Sequence, residues 1–146
     1  MLVTDTWRNC VVLYGGASTS GALHDTWIWN GDQWSFVTND GPGVDGASMA
    51  FDERRGVVVL YGGVRDHYSD ETWEFDGTRW LKVAGNRQIC EIPNTSSPVG
   101  LTGAAMAFDP ESQSVLLFGG QTQCYGLRQE TWSWNGMAWA LVSTSG

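Results

Sequence analysis

The sequence predicts an all-β fold built from three copies of one four-stranded antiparallel unit. The first observation is a segment that occurs three times. It reads Asp25-Thr26-Trp27-Ile28-Trp29-Asn30-Gly31-Asp32-Gln33-Trp34, then Glu71-Thr72-Trp73-Glu74-Phe75-Asp76-Gly77-Thr78-Arg79-Trp80, then Glu130-Thr131-Trp132-Ser133-Trp134-Asn135-Gly136-Met137-Ala138-Trp139. The second is that each copy follows an apolar strand closed by a double glycine: Gly15-Gly16, Gly62-Gly63 and Gly119-Gly120. The third is composition. The 146 residues include 19 Gly and 9 Trp with 16% charged residues, and no stretch sustains apolar spacing at i, i+3, i+4, i+7, so short strands and tight turns are expected rather than helix. Self-similarity at a period of about 50 residues marks a stack or ring of one supersecondary unit.

Aligned on the double glycines, each unit divides into strands a to d. In the first unit these fall at 2–5, 10–14, 26–30 and 33–37. The second unit places them at 47–52, 57–61, 72–76 and 79–83, and the third at 104–109, 114–118, 131–135 and 138–142. The chain reads as one domain, 1–146, with units at about 1–40, about 41–84 and about 98–146. Met1 aligns with Ser48, so the first unit lacks the leading Gly-Ala part of strand a. Asp5, Asp52 and Asp109 coincide at the a–b turn, where an aspartate side chain bonds its own backbone. Asn30-Gly31, Asp76-Gly77 and Asn135-Gly136 suit a two-residue type I′ hairpin between c and d. Counting outward from that turn pairs Trp27 with Trp34, Trp73 with Trp80 and Trp132 with Trp139, whereas a three-residue turn shifts the register by one. Alternation puts Trp29, Phe75 and Trp134 on the same face, and each aromatic pair contributes about 0.5–1.5 kcal/mol beyond its burial.

A sheet with one aromatic face cannot bury it alone, so neighbouring units must cover it. In these residues the chain resembles the kelch repeat: an apolar strand ending in Gly-Gly, an aromatic strand, then a Trp opening the outer strand. The three double glycines match the diglycine. Trp29, Phe75 and Trp134 stand at the family's tyrosine-like position, and Trp34, Trp80 and Trp139 at its tryptophan. The resemblance covers nearly the whole chain and implies kelch-type β-propeller blades of four antiparallel strands, three blades per chain. Propellers typically hold four to eight blades, so three leave an apolar face open at each end. Two chains closing a six-bladed ring by two-fold symmetry, a fragment of a longer propeller, and an open arc capped by polar surface all follow. The aromatic face carries no polar substitution in the first or third unit, which disfavours the arc. Half of a six-bladed propeller, completed as a homodimer, is the reading adopted.

Charge narrows the partners. The formal net charge of −8 gives no electrostatic footprint for nucleic acid and disfavours anionic membranes. The apolar runs are strand-length, too short to span a bilayer, and no secretory signal is visible, so the cytoplasm is favoured. Cys10, Cys90 and Cys124 form no C-x-x-C pair and indicate no zinc or redox motif. Cys10 reads as a buried thiol. Cys90 and Cys124 fall in loops at one end of the third unit, where a disulfide is geometrically open, although free thiols are the default in a reducing compartment.

Irregularity is concentrated at the end where the b–c and d–a connections emerge: loops 17–24, 64–70 and 121–129, and connections 38–46 and 84–103. Loops on a rigid scaffold are where binding resides. The most polar stretch is Arg65-Asp66-His67-Tyr68-Ser69-Asp70, in which a histidine between carboxylates suits acid–base work or a metal, set against the plain reading of a solvated loop. Arg87 and Arg128 suit an anionic ligand or are ordinary surface arginines, and Tyr125 completes the candidate set. His24 has no histidine counterpart in the third unit, so no metal site is expected, and no cofactor. The repeated tryptophans invite a sugar-stacking reading, but their fixed place in every unit makes them packing residues. Trp7, outside the repeat, is left exposed or against a partner subunit. There is no G-x-S-x-G, and the histidine and tyrosine cluster of the copper-bearing galactose oxidase relatives is not matched, so that activity is not carried over. The expectation is a non-catalytic binding scaffold with a protein partner on the loop end. Its rival is an enzyme or lectin-like module holding a small polar molecule, such as a sugar, at the channel.

Overall fold

The computed structural model describes residues 1–19, 21–85 and 96–145. These residues form fourteen strands and no helix, so no helix is long and apolar enough to cross a membrane. The first sheet consists of β1 (Leu2–Asp5), β2 (Cys10–Ser18), β3 (Gly21–Trp29) and β4 (Trp34–Thr38). The second holds β5 (Ser48–Asp52), β6 (Val57–Tyr61), β7 (Thr72–Phe75) and β8 (Trp80–Ala84). In the third, β9 (Ala105–Asp109), β10 (Ser114–Phe118), β13 (Thr131–Trp134) and β14 (Trp139–Ser143) pair in that order, and the two-residue strands β11 (Gln121–Thr122) and β12 (Gly126–Leu127) form a separate ribbon. All three four-stranded sheets are antiparallel between neighbours.

The turn between the first two strands forms as the aspartates predict. Asp5 Oδ1 accepts the N–H groups of Trp7 and Arg8, and Asp52 Oδ1 those of Arg54 and Arg55. The Asp109 carboxylate takes those of Glu111 and Ser112. The residue closing each turn is left-handed: Asn9, Gly56 and Gln113 have φ of 51°, 69° and 54°.

The turn between the last two strands does not form as expected. Trp29 faces Trp34, Phe75 faces Trp80 and Trp134 faces Trp139, leaving a four-residue connection in each unit. Trp27, Trp73 and Trp132 instead oppose Phe36, Lys82 and Leu141, and the ladder is bulged just before them. A type I′ turn needs positive φ at both central residues, and only the glycines have it (Gly31 100°, Gly77 101°, Gly136 96°). Asn30, Asp76 and Asn135 turn their side chains inward instead, each Oδ1 accepting the N–H groups two and three residues on. The same-face expectation survives the shift. Ring centroids lie 5.6, 5.2 and 5.4 Å apart in the three directly opposed pairs.

The sheets stack in chain order, with β1 against β5 and β5 against β9. Between the first two sheets, Val12 and Tyr14 meet Phe51, Val58, Leu60, Phe75 and Trp80. Val59 and Tyr61 of the second sheet meet Val115, Leu117, Trp132, Trp134 and Trp139 of the third. One interaction recurs at both junctions. The Trp80 indole N–H donates to Thr26 Oγ1 and the Trp139 indole N–H to Thr72 Oγ1, each at 2.9 Å and buried. Beside it, Tyr14 packs edge-on to Trp80 and Tyr61 edge-on to Trp139, both at 5.1 Å. Arginines tie the opposite end: Arg8 donates to the carbonyls of Gly56 and Asp76, and Arg54 to that of Asn135. Cys10 is a free, buried thiol as expected, and burial pushes it above its ordinary pKa.

Thr26→Val preserves shape but strands the buried Trp80 N–H, so chemical denaturation should register a loss of about 1–3 kcal/mol. Thr72→Val should do the same through Trp139. A second test concerns pH. Burial would raise the Asp76 carboxyl, but the hydrogen bonds from Thr78 and Arg79 and the Arg79 charge outweigh it and hold the carboxyl below its ordinary 3.8. A depressed carboxyl contributes stability that is present above that ordinary value and lost as pH falls through the folded one. Asp76→Asn copies what the other two units already use, so it should keep the fold while its denaturation midpoint falls less between about pH 7 and about pH 3 than that of the parent.

Candidate functional site

Beyond the double glycines the three units diverge, and here the structure alters the expected loops. Segment 17–24 is mostly strand: β2 and β3 continue outward, pairing Gly16 with Leu23 and Ser18 with Gly21. Within 121–129, β11 and β12 form the short ribbon, with Tyr125 exposed at its tip and its N–H held by Thr122 Oγ1. The loop 64–70 stays compact, closed by bridges from Val64 to Asp45 and to Tyr68. Glycine is required at its base. Gly62 has φ of 76°, and a side-chain carbon there would sit 2.3 Å from the Leu101 carbonyl oxygen.

The sequence-predicted residues separate into different settings. Arg65 reaches across to the connection between the first two sheets, where its guanidinium donates to the carbonyls of Pro42 and Gly43. The His24 ring lies against the same glycine, so the two loops meet at Gly43. Tyr14 is buried beneath, its hydroxyl accepting the Gly43 N–H at 2.7 Å, and burial pushes that phenol above its ordinary pKa. Arg65 therefore supports the backbone and is not a free anion ligand.

Arg65, Asp66 and His67 line a cleft of about 300 Å³ together with Val44, Ser69, Asp70 and Glu71. Glu71 is held by the Trp73 indole N–H at 2.9 Å and by Lys82 Nζ at 3.1 Å. The side chains of Asp66 and His67 are exposed and make no hydrogen bond among the described residues. Tyr68 adjoins the cleft and its N–H donates weakly to Gln123 Oε1 of the third unit. Arg128 is elsewhere, paired with Glu130 in the lining of a second cleft of about 190 Å³, of mixed polar and apolar lining, with Val99, Leu101, Trp132 and Leu141 among its apolar walls. Its charge is neutralised, which removes the anion-binding reading for it. Arg87 lies outside the described residues.

Among the described residues no three His, Cys, Asp or Glu side chains converge as metal ligands. Cys124 is disulfide-bonded while Cys10 is free, so the free-thiol default fails for Cys124; Cys90 lies outside the described residues. Trp7 is 61% exposed and its ring stands over Gly56 of the second unit, where a side-chain carbon would lie 2.3 Å from it. Sequence reasoning included Asp70 in its candidate stretch but missed Val44, Glu71 and Glu130 as wall residues. Glu71 was legible only as the start of a repeat. The Arg65 tether had no local signal, since its partners are carbonyls 22 and 23 residues away.

Arg65→Ala should behave as a stability variant. It leaves two carbonyls without their donor and should lower unfolding free energy by about 1–3 kcal/mol, measured by urea denaturation, with Arg65→Lys recovering only part because a point charge cannot reproduce the fork.

No protein-family profile matches the chain, and no curated protein does. Solved structures are similar in fold. The structure described as "Structure of YjhT" superposes with a TM-score of 0.67 at 13% identity, over 97% of this chain and 44% of the other. At that identity the likeness concerns the fold alone, and this chain spans less than half the length of the protein it matches.

Proposed function

We propose that the chain is a segment of a kelch-type propeller, its three sheets acting as three blades of a six-bladed ring, and that it serves as a non-catalytic binding scaffold. The partner docks on the loop end, at the cleft of the second unit. One observation carries this reading: in that cleft Arg65 and Glu71 are committed to holding the walls, while the exposed side chains of Asp66 and His67 face outward without partners among the described residues. A pre-formed wall with uncommitted polar groups suits recognition, because little ordering is needed on binding. The carboxylates and the net charge of −8 favour a protein partner that presents lysine or arginine.

Titration with lysine- and arginine-rich peptides, followed by amide chemical shifts, tests this. Perturbations should centre on residues 64–71 and shrink as salt screens the contact. Asp66→Asn should weaken binding about fivefold. Perturbation by neutral mono- and disaccharides, with none by basic peptides, would instead support the small-molecule rival and overturn the peptide-scaffold reading.

A further inference from the structure

The stack has two unlike faces per sheet, and each junction joins the aromatic face of one sheet to the threonine-bearing face of the sheet before it. Three sheets make two junctions, so one face of each kind is left over. On the first sheet it is the aromatic face: Leu2 is 61% exposed, Trp34 42% and Phe36 53%. On the third sheet it is the threonine face, where Phe118 is 44% exposed and Thr131 half-buried.

Position by position these are the two halves of the junction the chain already makes twice. Trp34 aligns with Trp80 and Trp139, which are both 6% exposed. Thr131 aligns with Thr26 and Thr72, both at 0%, and Phe118 with Tyr14 and Tyr61, at 0% and 2%. Trp80 and Trp139 each donate to the threonine of the preceding sheet, whereas the Trp34 indole N–H and the Thr131 hydroxyl have no such partner among the described residues. Around Leu116 the leftover threonine face carries small residues, Ala105, Ala107, Ser133 and Ala140, whereas the leftover aromatic face carries Trp27, Trp29 and Phe36.

We propose that a second copy of the chain covers both ends, with Trp34 of each copy seated beside Phe118 and donating to Thr131 of the other. This rests on reading the sheets as propeller blades. Two copies then supply six blades, within the four to eight that propellers typically hold. The contact is head-to-tail, between unlike faces, and closes because it is made twice about a two-fold axis. It lacks the arginine ties of the internal junctions. Arg8 and Arg55 align with Ser112, and Arg54 with Glu111, so the junction between copies is the weaker one and should be concentration-dependent.

Light scattering across a wide concentration range should give twice the chain mass for the parent. Trp34→Glu and Thr131→Arg each alter a surface that the single chain leaves open, so each should keep its β-sheet circular dichroism but run at the single-chain mass, with association weakened roughly ten- to a hundredfold. Mixing the two variants restores one undamaged junction per pair, so the mixture should associate more strongly than either alone. A folded parent that stays at the single-chain mass overturns the second-copy proposal, with another polypeptide segment then covering the faces. A double-mass parent insensitive to both substitutions overturns it too and also counts against the blade reading, since the copies would then meet through other surfaces.

Discussion

The indole-to-threonine hydrogen bond between adjacent sheets is the contact on which the rest of the structure depends. A tryptophan brings a large apolar surface and one N–H that must be satisfied when buried. Placing a threonine hydroxyl on the neighbouring sheet satisfies it and fixes the distance and rotation of one sheet on the next. The edge-on tyrosine beside each indole then has one place to go. Because the donor lies on one face of a sheet and the acceptor on the other, the arrangement is directional. A stack of such sheets always ends in one unsatisfied donor face and one unsatisfied acceptor face.

That asymmetry explains why core and site occupy different parts of the molecule. The repeated residues are used up in junctions, and the turns at one end are tied by aspartates and arginines. At the other end the chain leaves the repeat after each double glycine and differs in every unit: an extended hairpin in the first, a compact bridged loop in the second, a short ribbon in the third. The second of these holds the open carboxylate and imidazole of Asp66 and His67. Even there most polar groups serve the fold, as Arg65 does in capping two carbonyls of a neighbouring connection.

The strands, the aspartate turns and the aromatic face were legible in the sequence because each follows from a local rule repeated three times. The register between the last two strands of each sheet was not. Asn-Gly and Asp-Gly serve equally as a two-residue hairpin turn or as a side-chain-capped turn followed by a glycine, and only the φ of Asn30, Asp76 and Asn135 separates them. The outward extension of β2 and β3 was hidden because Gly15-Gly16 reads as the end of a strand and Gly21 as a loop residue. The roles of Arg65 and Arg128 depended on partners that a motif search does not see: distant backbone carbonyls for one, and for the other a glutamate two residues on that looked like the start of a repeat.

Hydrogen exchange at the indole N–H groups tests the central interaction most directly. If the threonine contacts hold the sheets together, the Trp80 and Trp139 indole protons exchange only through global opening, at the rate of the slowest amides of β6 and β10. Exchange of those two indoles as fast as that of the exposed Trp7 would contradict the account.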